Sequence, residues 1–379
     1  MSALSQRPAG APKASAAASA APFAPLGAAL NRLIVGEPIP FDIYDKQQVL
    51  LLASGNVIES ARQLRVLIER GGLVLLEEVT DPRQAALHAP RSHLPEVWNK
   101  TRDLVTTVLT STDEPQFEDR LQSALPVMQT LVERDPDLAI FQVISRSAAE
   151  RASEGVRQAT ATAAIAIMLG NRLGWTGEMV DLAAKCALTM NLSILELMGR
   201  STGALSLSDP AVQRELKDHP LRSRKILENA GINDTDWLRA VEEHHERPDG
   251  SGYPRGIRDV NETSLLVQCV DTFVDGLASP KGGVSMTATG LLRQMYLADP
   301  KAVFVTTLIK ELGVYPPGSI VRLDNDEIGM VMQRGLTGTT PVVAVLAEDL
   351  SLPAAPVLRD TADETYRVIG VVSAHNRPS

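Results

Sequence analysis

Cysteine is almost missing from this chain. The two present, Cys186 and Cys269, stand in apolar, helix-like surroundings without a C-x-x-C partner. That excludes a disulfide framework and predicts buried free thiols in a reducing compartment, the cytoplasm. Aromatic residues are scarce, at 4%, so base-stacking platforms are thin. Positive charge is in deficit, with 37 Lys and Arg against 46 Asp and Glu and a formal net charge of -9. A nucleic-acid polymer gripped by its phosphates is therefore not an expected partner, although a few local cations would suffice for a small anion. No apolar run approaches the roughly 18 residues of a membrane span.

What is present is a globular composition. With 379 residues, 44% of them hydrophobic, the chain can bury the cores of two or three domains. Residues 1–25, rich in Ala, Ser and Pro, lack the apolar centre of a signal peptide and are expected to be a disordered tail. Residues 26–80 read as a small α+β module. Short apolar runs around Ser54-Gly55-Asn56 suit strands, ARQLRVLIERGGL suits a helix stopped by Gly71-Gly72, and VLLEEV suits a further strand. Residues 81–102, with several Pro and His, read as a linker. From 103 to 313 apolar residues recur at three and four spacings, the period of packed helices; Asp234 and Thr176 are placed to start two of them. Residues 314–379 change period again: SIVRL, EIGMVMQ, PVVAVLA and YRVIGVV predict a four-stranded antiparallel unit. The predicted fold class is thus mainly α, flanked by a small N-terminal α+β module and a small C-terminal antiparallel β unit.

The densest stretch is HHERPDGSGYPRG, His244 to Gly256. Adjacent helical residues point about 100° apart. The two histidines therefore cannot easily share one metal, but suit two neighbouring metals, or one metal and one ligand phosphate; the plainer alternative is a solvated helix end. The following Asp249, Gly250, Gly252, Tyr253 and Pro254 make an unusually specified turn, with glycines for special backbone angles and a tyrosine with an apolar face and a hydroxyl. Downstream, Asp271 interrupts an apolar helical run, with Asp275 on the same face. A carboxylate there needs a partner, and a metal or histidine would serve.

HHERPDGSGYPRG followed by VDTFVDGL closely resembles the HD-GYP family over about Leu138 to Leu277. The resemblance implies an HD-type helical domain of bacterial signalling proteins that hydrolyse cyclic di-GMP at a two- or three-metal centre. GEPIPFDIYDKQQVLLLASGNVI and LGVYPPGSIVRL are similar to segments that often flank such domains. The family's centre also uses an upstream His, an adjacent His-Asp pair in a stretch like A-L-L-H-D-I-G-K, and a His before Pro. Aligned on Leu173-Gly174, this chain puts Gln158 at the upstream His, Met190 and Asn191 at the His-Asp pair, and Ile194 at the Lys. None is a good donor for Fe, Mn or Mg. His219, His244, His245 and Asp271 remain as residual metal candidates. Glu154, one turn before Gln158, could face the pocket or be a solvated surface acid. After VDGL, where the family has an Arg-Pro-Tyr-Arg-like run, only Lys281 offers a cation.

Three functional readings follow from that resemblance. One is a degenerate, phosphodiesterase-inactive member acting as an adaptor, with Asp249 to Pro254 as the partner-binding turn; in this family that turn is associated with diguanylate cyclase domains. Another is an active phosphodiesterase with a reduced centre holding one divalent Fe or Mn. The last is a receptor that binds cyclic di-GMP without cleaving it.

Overall fold

The computed structural model describes residues 23–39, 41–75, 82–145, 153–200, 209–278 and 286–372. Most of the expected tail and Lys281 lie outside the described residues. The chain divides into two units, residues 1–85 and 86–379.

In the first unit β1 (Phe23–Pro25), β2 (Ile43–Tyr44), β3 (Leu50–Leu52) and β4 (Leu73–Leu75) form one sheet in the order β1-β4-β2-β3. Its described pairings are antiparallel, with Phe23 opposite Leu75 and Ile43 opposite Leu52. Phe23–Pro25 thus pairs in the sheet although it was assigned to the tail; a three-residue strand carries no detectable alternation. Helix α1 (Ala61–Glu69) begins where the Ser60 hydroxyl accepts the Gln63 amide and ends at Gly71, whose φ of 74° favours glycine. Leu26, Phe41, Ile43, Ile58 and Val74 fill its core.

The second unit is mainly helical. Its helices are α2 (Pro82–His88), α3 (Leu94–Leu109), α4 (Phe117–Arg134), α5 (Pro136–Ile144), α6 (Glu154–Leu173), α7 (Gly177–Thr189), α8 (Leu195–Arg200), α9 (Pro210–Asn229), α10 (Thr235–Glu243), α11 (Glu262–Ala278), α12 (Ala288–Ala298) and α13 (Val303–Leu312). The stretch read as a linker carries α2 and the first half of α3. Leu94 and Trp98 belong to the main core, because they repeat at helical spacing with Val105 and Leu109. The prolines that prompted the linker reading stand at helix starts, Pro82 and Pro95, where a missing N–H costs nothing.

Helix α6 is the centre. Ala159, Ala161, Ala163, Ala164 and Ala166 let α3, α4, α7, α11 and α13 pack closely around it, and its end is set by Gly174 at φ 73°. A Cβ at Gly155 would come 2.7 Å from the Leu195 carbonyl oxygen, so the start of α6 lies directly on the chain entering α8.

The C-terminal strands are β5 (Ile320–Leu323), β6 (Ile328–Gln333), β7 (Val342–Val345), β8 (Leu358–Asp360) and β9 (Val368–Val371), in the antiparallel order β8-β7-β6-β5-β9. The strand beyond the four predicted is β8, three residues after a Pro-rich loop that lack a period-two pattern; pairing with β7 defines it. This sheet shares a unit with the helices. Arg334, just after β6, pairs with Asp137 on α5 and Glu311 on α13, and Glu311 also binds Arg172 at 2.7 Å.

Burial of Trp98 predicts that Trp98→Ala lowers stability by about 3–5 kcal/mol. A denaturant titration of the full chain checks it; an unchanged midpoint would mean that the segment is a solvated linker.

Candidate metal centre

Helix α9 is capped by Asp209, which accepts the Ala211 amide at 2.8 Å, and contains Pro220. Proline has no N–H, so the carbonyl of Leu216, four residues earlier, lacks its helical donor. His219 supplies one: its Nδ1 lies 2.6 Å from that oxygen. The same device ends α10. That helix starts at Asp234, whose carboxylate accepts the Asp236 and Trp237 amides, and stops at His244, leaving terminal carbonyls without donors. The His244 Nδ1 lies 2.6 Å from the Val241 oxygen.

A carbonyl only accepts, so both Nδ1 atoms carry the proton and both Nε2 atoms are bare lone pairs. These two Nε2 atoms face each other at 3.0 Å, with His219 and His244 both buried. Two lone pairs at that distance repel unless a cation lies between them. His245, half-buried, completes the group: the ligand atoms of the three imidazoles all lie within 4.8 Å of one another, so the adjacent pair does converge on one point, because the helix ends at His244 and the 100° helical separation does not hold beyond it. The arrangement matches a metal centre, whose histidines give one nitrogen to the ion and the other N–H to a carbonyl.

Asp271 on α11 is turned to other use. Its Oδ1 accepts a hydrogen bond from the Gln158 Nε2 on α6 at 2.8 Å, with both residues buried. Asp271 is not in the imidazole group. Met190, Asn191 and Ile194, at and just beyond the end of α7, are buried as well. Ser193, between the last two, donates its hydroxyl to the His219 carbonyl at 3.1 Å, so this segment lies against the histidine's own turn. Glu154 pairs with Arg157.

Burial keeps the imidazoles neutral. It lowers His219 to about 4 and His245 to about 3, and holds His244 well below the usual histidine value, with the neighbouring imidazoles adding to the effect. Burial also pushes Asp271 up to about 7, against the opposing hydrogen bond from Gln158.

The Gly-Tyr-Pro turn is built from the same helix end. Glu246 is buried, and its carboxylate accepts the backbone amides of Arg255, Gly256 and Ile257 at 2.6, 3.1 and 3.1 Å. Gln268 donates to the carbonyls of both His244 and Glu246, at 3.0 and 2.9 Å. Buried Glu242 pairs with Arg224 from α9 and Arg255 from the turn. Tyr253 stacks on His245 with ring centroids 4.5 Å apart, and its amide donates to the His245 carbonyl at 3.1 Å. Gly252 has no alternative, because a Cβ there would lie 2.4 Å from the Arg247 nitrogen. Gly250 has φ 80°. Asp249 is exposed and accepts the Ser251 amide at 2.8 Å, while Pro254 is half-buried.

The sequence pointed to the histidines and, within the same motif, to Glu246, but not to what supports them. Gln268, three residues before Asp271 on one helix face, was findable by spacing alone. The roles of Glu246, Glu242 and Arg255 had no sequence signal, because their partners are backbone amides and residues of another helix.

The HD domain family matches residues 142–288. A curated relative, the cyclic di-GMP phosphodiesterase PA4108 of Pseudomonas aeruginosa, is 33% identical over 138 residues, covering 34% of this chain and 33% of its own. Residues 142–288 are thus similar to HD domains, as the stretch HHERPDGSGYPRG implies. The chain spans about one third of the length of that curated relative. A solved structure, Bd1817, described as an HDG"Y"P protein from Bdellovibrio bacteriovorus, shows 15% identity and a TM-score of 0.48, covering 76% of this chain and 98% of its own. HD domains bind divalent metals, and the imidazole group is where this one could do so. No helix among the described residues is long and apolar enough to cross a membrane.

Two predictions follow from this geometry. In the metal-free chain the imidazoles stay neutral when folded but take up protons near 6.5 when unfolded. Their contribution is therefore present above about pH 6.5 and is lost as pH falls towards about 4. Asp271 acts in the opposite sense: its contribution is full below about pH 4 and is lost as pH rises through about 7. Three imidazoles outweigh one carboxyl, so stability drops by roughly 3 kcal/mol between about pH 7 and about pH 5, measured by urea titration. In addition, Glu246→Ala exposes the amides of residues 255–257 to fast hydrogen exchange and costs about 3 kcal/mol.

Proposed function

We propose that this chain is a non-hydrolytic HD-GYP protein of cyclic di-GMP signalling, an interaction module that presents its Gly-Tyr-Pro turn to a diguanylate cyclase domain or another signalling protein. The observation that carries the reading is the hydrogen bond from Gln158 to Asp271. Hydrolysis by a metal pair needs carboxylates to hold two cations close enough to share an activated water. At this site the one buried acid on α11 is matched to an amide, and Met190, Asn191 and Ile194 stand at the positions aligned with the His-Asp pair and the Lys. The turn, by contrast, keeps every support it needs, from Glu246, Gln268 and Glu242. Asp249, Ser251 and Arg255 stand exposed on it, and Gly250, Gly252, Tyr253 and Pro254 shape the surface a partner would read.

A second reading, a phosphodiesterase with one Fe or Mn ion at a reduced centre, draws on the convergence of the three imidazoles.

The test is turnover and binding of cyclic di-GMP by the full chain with Mn or Fe(II) supplied, alongside affinity for a diguanylate cyclase domain. The expected result is no turnover, with partner affinity reduced about tenfold or more by Tyr253→Ala, as for an aromatic anchor. Turnover abolished by His245→Ala would overturn the proposal. Cyclic di-GMP bound but not cleaved, without partner binding, would replace it with a receptor.

A further inference from the structure

The metal pair of the family does not fit the residues present. Such a pair carries four positive charges and is held close by shared carboxylates. The donor group here is three neutral imidazoles, and the buried carboxylate of Asp271 stands outside it, bonded to Gln158. Hard cations such as Mn and Mg prefer oxygen donors, whereas imidazole nitrogen suits the later, borderline metals, zinc among them.

Something positive is nevertheless required. The Nε2 atoms of His219 and His244 face each other at 3.0 Å, buried, and neither can donate because each ring's proton is engaged by a backbone carbonyl. The His245 ligand atom is within 4.8 Å of both. The donors come from two places in the chain: the middle of α9, and the end of α10 where the Gly-Tyr-Pro turn begins.

We infer that this centre has exchanged a hydrolytic pair of hard cations for one late-metal ion of the zinc class, held by His219, His244 and His245 as a structural cross-link between α9 and the Gly-Tyr-Pro turn. The ion replaces the lone-pair repulsion with three donor bonds and fastens the turn from below, while Glu246 fastens it from the side. Tyr253, stacked on His245, is the residue through which loss of the ion reaches the turn's surface. This inference is independent of whether the chain lacks phosphodiesterase activity, since its readouts are stoichiometry and stability.

The experiment uses the full chain stripped with a chelator and titrated separately with Zn, Co(II), Fe(II) and Mn. The expected result is one zinc per chain, manganese bound at least about 100-fold more weakly, and melting raised by roughly 5 °C or more at a hundredfold excess of zinc over its Kd. Cobalt should give the visible absorption of a low-coordinate nitrogen site. His219→Ala should weaken zinc by at least about 100-fold, beyond the roughly 10–100-fold of outer-shell changes. His245→Ala removes the least buried donor and should do the same while the core stays folded, which guards against a folding failure in the first variant. Asn191→Asp, which adds a carboxylate beside the His219 turn, should narrow the preference for zinc over manganese. Two ions per chain, manganese bound as tightly as zinc, or zinc binding unchanged in both histidine variants would each overturn the inference.

Discussion

The hydrogen bonds from His219 and His244 to the carbonyls of Leu216 and Val241 decide what the rest of this site can be. Each exists because a helix has lost a donor, once through Pro220 and once through the end of α10. Each fixes its ring and its tautomer through a backbone carbonyl. The outcome is a pair of bare nitrogens pointed at each other in a dry place, an arrangement with no stable partner except a cation. The turn that follows inherits its position from the same helix end, through Glu246, Gln268 and the stacking of Tyr253 on His245.

The packing around α6 explains how Gln158 and Asp271 come to be paired. Gln158 faces inward from an Ala-rich helix surrounded on several sides, where an unpaired polar group would be costly. Pairing Gln158 with Asp271 satisfies both, and it removes from the site the one buried carboxylate that α11 could offer. Met190 and Ile194 are buried as ordinary apolar groups. These side chains therefore fill the core without leaving holes, and the scaffold that holds the turn is continuous with it.

Much of the architecture was legible because packed helices and strands impose different periods on apolar residues, and those periods survive in the chain from Asp103 to Gly313 and from Ile320 to Val371. The errors share a cause. Phe23–Pro25 and Leu358–Asp360 are too short to show a period, and their strand character comes from the neighbours they pair with, β4 and β7. Pro82 and Pro95 looked like linker residues, yet they sit at helix starts, and Trp98 is buried by helices far along the chain.

By itself the sequence carried the resemblance, through HHERPDGSGYPRG, and the imidazole candidates, because residue chemistry at fixed spacing is local information. Only the tertiary structure decided that Asp271 turns to Gln158, that the two Nε2 atoms meet at 3.0 Å, and that Glu246 serves the turn rather than an ion. Those are contacts between separate helices, or between a side chain and distant backbone amides. Their energies depend on burial and direction, which the order of residues along a chain does not contain.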